Sequence, residues 1–270
     1  MLTALVEPVM NVRSPGDGVV ALVLFTALAL VTVAAALRFA AGRGDGAVGV
    51  LLLACLGSML AVFNEPIFDL LGKIYYPANN SPTYFTAFDR PIPAFLLAGY
   101  MPFVGVLPFV LAEKIRDGVS RRALCLFAFG SFLGVVLVES LGTGTDSWVY
   151  YGEAPMKWLG VAPQMAAVPL VAAALLLVLT PHLRGAQRLA LVFVGPVSLA
   201  AVYAGAGWPM YVALYSDWPV SGDVLASVTT LALVAGIVWA LATAVTRTRV
   251  PTLSVPPTAA AVPTEEKIHA

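Results

Sequence analysis

The sequence predicts an all-α, polytopic membrane bundle of seven transmembrane helices, with the N-terminus outside and the C-terminus in the cytoplasm. Three observations predict it. The chain is 60% hydrophobic and 11% charged, with a mean hydropathy of +0.89, whereas soluble domains sit nearer half apolar and a quarter charged. The apolar residues gather into seven runs, 19–41, 47–63, 91–112, 123–141, 163–180, 187–214 and 223–246, each close to the roughly 20 residues that cross a bilayer core. The basic residues sort by side. Arg38, Arg43, Lys114, Arg116, Arg121, Arg122, Arg184, Arg188, Arg247, Arg249 and Lys267, eleven of the fifteen, fall on one side of such a bundle. Arg13, Lys73, Arg90 and Lys157 fall on the other. Positive charge marks the cytoplasmic loops, and an odd span count agrees with termini on opposite sides.

The elements follow in order. Residues 1–18 form an N-terminal extracytoplasmic segment. It lacks a basic region leading into a short apolar core, so no cleavable signal peptide is expected, and the first span serves as the insertion signal. The seven-helix domain covers 19–249. The second span is at the short limit and ends in "NEPIFDLLGKIYYPANN" (64–80). There Pro66 removes a backbone donor and disfavours a straight continuation, and Pro66–Leu71 reads as a short helix begun at Glu65 and closed by Gly72. "TAFDRPIPAF" leads into the third span, which is expected to be kinked by Pro102 and Pro108. The fourth span carries Glu139 near its end. The sixth is long, glycine-rich and interrupted by Pro209, which suits close helix packing. The seventh contains no lysine for a retinal Schiff base. Residues 250–270, rich in Pro, Thr and Ala, read as a disordered cytoplasmic tail. The location is the cell membrane, multi-pass.

The acids sort opposite to the bases. Glu7, Asp17, Glu65, Asp69, Asp89, Glu139, Asp146, Glu153, Asp217 and Asp223 belong to the outer half, ten of fifteen. Most Trp and Tyr residues accompany them, where an ordinary aromatic belt decorates both interfaces. Glu65 and Asp69 are four apart and share a helical face. A carboxylate at the hydrocarbon edge is costly unless paired, protonated or wet. Glu65, Asp69, Glu139 and Asp217 are therefore the candidate catalytic groups, with Glu65 the favoured proton carrier. Close carboxylates oppose one another's ionisation and burial adds to this, so such a cluster can hold a proton and act as general acid and base. Arg90 and Asp89 are candidate substrate contacts or counter-ions, and Tyr75, Tyr76, Trp148 and Tyr151 are candidates to line or cap the chamber. Each has a plainer reading. Glu65 can simply reach headgroups, Asp89–Arg90 can be an exposed ion pair of small worth, and "WVYYGEAPMKW" can be an interfacial anchor.

Several chemistries lack their residues. Cys55 and Cys125 lie inside apolar runs, and His182 and His269 have no ligand-spaced neighbours, so no metal site is expected. No phosphate-binding loop appears, no cofactor is expected, and no nucleic-acid partner either. The expected partners are the lipid bilayer and a hydrophobic small molecule, with the oligomeric state left open.

"NEPIFDLLGKIYYP…FDRPIPAFLLAGY", within residues 60–105, resembles the AveC-like spirocyclase family of actinobacterial membrane proteins. The resemblance implies a cofactor-independent, acid-assisted cyclisation in secondary metabolism, closing a polyketide ketone and two hydroxyls to a spiroketal. Membrane-bound meroterpenoid cyclases share the general plan of seven spans with few acids near one face. That similarity implies protonation of an epoxide and closure of a polyene, with Glu65 and Asp217 after the second and sixth spans. A small-molecule permease or a structural membrane protein is the non-enzymatic alternative.

Overall fold

The computed structural model describes residues 15–44, 46–77, 81–151 and 163–247. The tail, most of the N-terminal segment and the 152–162 part of the aromatic loop lie outside the described residues.

The fold is an all-α membrane bundle. Among the described residues six helices are long and apolar enough to cross a membrane, and a shorter apolar helix, Pro163–Leu179, accompanies them. Helix α1 spans Pro15–Ala41 and α2 spans Ala47–Leu60. A 3₁₀ turn, Ala61–Asn64, carries α2 into α3, Glu65–Gly72. The second span is thus longer than its apolar run, because a proline at the second position of α3 needs no N–H donor there. The left-handed residue that stops α3 is Lys73, with φ 50°. Helix α4, Phe95–Tyr100, passes through a π-helical stretch, Met101–Val106, into α5, Leu107–Arg116. Pro102 lies inside that stretch and Pro108 just beyond it, where the regular hydrogen-bond ladder cannot be kept. Helix α6 runs Arg121–Gly144, capped by the Ser120 side chain. Helix α7, Val168–Leu179, follows a 3₁₀ turn, Pro163–Ala167. Helix α8, Val194–Leu214, follows a longer 3₁₀ stretch, Gly185–Phe193, and α9 spans Val220–Arg247.

Among the described residues two small antiparallel sheets accompany the helices. Strand β1, Ile74–Tyr75, pairs with β4, Val149–Tyr150, and β2, Thr83–Ala87, pairs with β3, Arg90–Pro93. These short strands are a departure from the purely helical expectation. They form in the loop segments between the apolar helices.

The core lies among α2, α5, α7, α8 and the π-helical stretch. Gly57 of α2 faces the Val192 carbonyl so closely that a Cβ would sit 2.2 Å from its oxygen. That contact sets the approach of α2 to the 3₁₀ stretch that leads into α8. By contrast α1 and α6 each bury only 11% of their most apolar window, and α9 buries 22%, so most of their surface faces the hydrocarbon. At the basic end the Arg43 guanidinium grips the Asp117 carboxylate, Nη2 to Oδ2 at 2.7 Å. That hydrogen bond holds the Asp117 carboxyl below its usual range. The pair is therefore intact at neutral pH, and its contribution is lost only as pH falls through the lowered value.

Candidate active site

Glu65 opens α3 and is 5% exposed. The 3₁₀ turn before it is tied to α8 by Asn64, whose amide donates to the Pro196 carbonyl at 3.0 Å. Two phenols close on Glu65. Tyr76 donates to Oε1 at 2.6 Å, and Tyr100 donates to Oε2. Tyr76 stands just past β1, and Tyr100 is the last residue of α4 before the π-helical stretch.

Glu139 lies near the end of α6 and has its own two donors. Trp148 Nε1 and Tyr150 Oη both donate to Oε2, at 2.8 and 2.9 Å. Oε1 receives no hydrogen bond from any described residue. Burial pushes the phenols of Tyr76 and Tyr150 well above their ordinary range, and the carboxylates they face add to it. Both therefore remain protonated donors across the working pH range.

The strand pair explains which aromatics reach the site. Ile74 lies opposite Tyr150, and Tyr75 opposite Val149. Cross-strand partners share a face and successive residues alternate. Ile74, Tyr76, Trp148 and Tyr150 accordingly line one cavity of about 570 Å³ together with Glu65 and Glu139. The two carboxylates' aromatic holders also touch. The Tyr76 and Trp148 ring centroids are 6.3 Å apart, and Phe95 lies 6.2 and 6.3 Å from them. Further walls come from Phe25 and Leu28 of α1, Phe68 of α3, Phe103 and Leu107 around the π-helical stretch, and Tyr203 of α8.

Trp148 reaches Glu139 by lying across α6 at Gly142. A Cβ at Gly142 would come within 2.0 Å of the indole ring. Gly142→Ala is therefore expected to displace Trp148 and cost about 1–3 kcal/mol from overpacking. A lowered melting temperature with a shifted tryptophan emission in detergent checks this, and an unchanged melt contradicts it.

The other sequence candidates are placed differently. Asp69 is fully buried one turn beyond Glu65 but does not line the cavity. Asp217 is exposed in the turn between α8 and α9 and stands apart from the cavity, because α8 ends at Leu214 and the chain leaves the bundle there. Four converging acids were expected, and the cavity is lined by two of them. Asp89 is exposed. With Phe88 it forms the two-residue tip of the β2–β3 hairpin, φ 53° and 58°, a turn that needs positive φ at both positions and projects them outward. Arg90 is buried and donates to the Ile74 carbonyl and, at 2.6 Å, to Tyr151 Oη. It ties β3 to β1 and to Tyr151 just past β4, and it does not line the cavity. Tyr75 and Tyr151 are half-buried on the faces opposite Tyr76 and Tyr150 and do not line the cavity.

Three residues absent from the sequence candidates belong to the site. Tyr150 was signalled by alternation with Trp148 once "WVYY" is read as a strand. Tyr100 is a single hydroxyl in an apolar run, and Gly142 carries no chemical signal at all. Among the described residues no group of three or more His, Cys, Asp or Glu side chains is gathered for a metal ion. No family model, curated protein or solved structure matches the chain.

Proposed function

We propose that the protein is an integral membrane cyclase that uses Glu139 and Glu65 as an acid/base pair on a hydrophobic small molecule. The preferred reaction is spiroketal closure of a polyketide, the chemistry implied by the resemblance across residues 60–105. The observation that carries the reading is the pairing itself: two glutamates, each held by two aromatic donors, on one apolar cavity.

The hydrogen bonds suggest a division of labour that differs from the sequence reading in which Glu65 leads. Trp148 Nε1 is a donor only, so Oε2 of Glu139 must accept. A proton on neutral Glu139 therefore resides on Oε1, the oxygen with no partner among the described residues. Glu65 has both oxygens covered by phenols, so it exchanges protons with a substrate through Tyr76 or Tyr100. In a ring-closed hemiketal, Glu139 Oε1–H protonates the hydroxyl, and that C–O bond breaks to release water and an oxocarbenium ion. The second hydroxyl forms the new C–O bond. Its proton passes to a phenol oxygen while the phenol's own proton passes to Glu65. One water is lost and the charges balance once a proton returns from Glu65 to Glu139. The cavity lining is mostly apolar, a setting in which fixed dipoles act strongly on developing charge.

The aromatic walls favour one second reading, closure of a polyene epoxide. Rings at Phe25, Phe95, Phe103, Phe127 and Trp148 line the cavity, and aromatic faces attract a cation. Purified protein in nanodiscs, offered a ketone-diol and an epoxy-polyene, separates the two. Turnover of neither supports the permease or structural alternative.

The proposal includes the orientation and the cell membrane as location. Pro163–Leu179 is taken as a seventh, shorter span, which puts the N-terminus outside and the carboxylate end of the cavity at the outer face. A cysteine introduced at Thr86 is expected to be labelled by an impermeant reagent in intact cells, and one at Asp117 is not. The reverse pattern overturns the orientation.

A further inference from the structure

The cavity continues well beyond the carboxylates. It runs along α6 from Glu139 past Val135, Gly134 and Gly130 to Phe127, twelve residues or about 18 Å at ~1.5 Å per residue. On the facing wall it runs from Phe95 to Leu107, also twelve residues, about 18 Å if the rise is helical throughout. The deep half is walled by Phe103, Leu107 and Phe127, and its polar mark among the described residues is the Ser131 hydroxyl.

The helices on either side of this cleft do not close it. Helix α1 packs on α2, α4 and the π-helical stretch, and α6 packs on α7, α9, β4 and the 3₁₀ turn Pro163–Ala167. Among the described residues no extended contact joins α6 to α1, α4 or α5. Gly130 and Gly134 face the opening, and a Cβ on either would meet nothing within 4 Å. These glycines are not explained by helix packing, since no neighbour approaches them. They leave width in the cleft. The opposite face of α6 presents Leu126, Phe129, Leu133 and Leu137, all at least half exposed, so α6 stands between the cleft and lipid and is packed along one edge only.

We infer that the cavity opens sideways into the hydrocarbon between α1 and α6 and takes a single-chain amphiphile from the membrane. Its oxygenated head meets Glu65 and Glu139, and its unbranched apolar tail lies along Gly130 and Gly134 toward Phe127 and Leu107. The polar and apolar ends of the cleft fit such a molecule end to end. A volume of about 570 Å³ lies within the roughly 300–1,000 Å³ of small-molecule sites and is too small for a two-chain lipid. Lateral loading also suits a substrate that partitions into the bilayer. The inference deepens the cyclase reading by naming the form of its substrate, but it concerns binding and stands apart from turnover.

The test uses the full chain in nanodiscs with hexadecanol carrying a diazirine at its terminal carbon. Photolabelling is expected at Phe103, Leu107 and Phe127, saturable and competed by unlabelled hexadecanol. Gly134→Phe is expected to lower that labelling at least about tenfold, equivalent to ~1.4 kcal/mol of binding. Labelling of lipid-facing Leu133 and Leu137 should be unchanged, a melting temperature near wild type reports that the variant is folded, and Gly130→Leu provides a second block. Glu139→Gln should keep tail labelling while losing turnover, which separates failure of this inference from failure of the cyclase reading. Three results overturn it: labelling of Phe103 and Phe127 that does not saturate, labelling that survives both glycine variants, or labelling competed by short water-soluble alcohols and not by hexadecanol.

Discussion

Membranes carrying Glu139→Gln are expected to close a ketone-diol about 10²–10⁴-fold more slowly than wild type, the usual contribution of a positioned general acid. The variant keeps the shape of the side chain. Its amide oxygen can still accept from Trp148 Nε1 and Tyr150 Oη, which occupy one oxygen of Glu139. The other position then carries an NH₂ group with no transferable proton. Folding should be preserved, since the two donors keep their acceptor. A melting temperature near wild type with turnover lost is the expected pattern. Wild-type turnover in this variant removes Glu139 from the chemistry.

Glu65→Gln is expected to do more damage to structure. The carboxylate accepts from Tyr76 on one oxygen and Tyr100 on the other, whereas glutamine offers a single acceptor. One phenol must turn to accept from the amide or lose its partner inside the bundle. Hydrogen bonds to charged groups are worth about 1.5–3 kcal/mol, so a measurable loss of thermal stability accompanies the change. The phenol relay to the base is broken too, and turnover should fall about 10²-fold or more. The product should also lose stereochemical control, because a captured cation that cannot be deprotonated in place equilibrates. Chiral chromatography of the product checks this. Retained stereochemistry at full rate makes Glu65 structural. Asp217→Asn, on an exposed turn, serves as the variant that leaves both readouts alone.

The parts of this arrangement legible in the sequence are those governed by composition and helical periodicity. Apolar runs place the long helices to within a few residues, except that the second continues nine residues past its run to Gly72, since burial in lipid demands continuous hydrophobicity. The depth of Glu65 and Glu139 in their runs signals two acids at similar height, and the structure brings both to one cavity. Pro66 signals the break that starts α3. The rest was hidden for identifiable reasons. A strand's period of two decides whether Tyr75 or Tyr76, and Tyr150 or Tyr151, faces the site, and in a segment this short the register is set by tertiary pairing. Asp217 was assigned to the site by its position after the sixth span, but a helix end says nothing about which way the departing chain turns. Gly142 matters only because an indole from six residues further on lies across it, a contact with no local sequence signature.

The most direct test of the central claim is metabolite profiling of a strain lacking this chain, complemented with wild type or with Glu139→Gln at matched membrane abundance. The account predicts that the deletion strain accumulates an unclosed ketone-diol, that wild type restores the spiroketal, and that Glu139→Gln does not. An unchanged metabolite profile on deletion, or full restoration by Glu139→Gln, contradicts it.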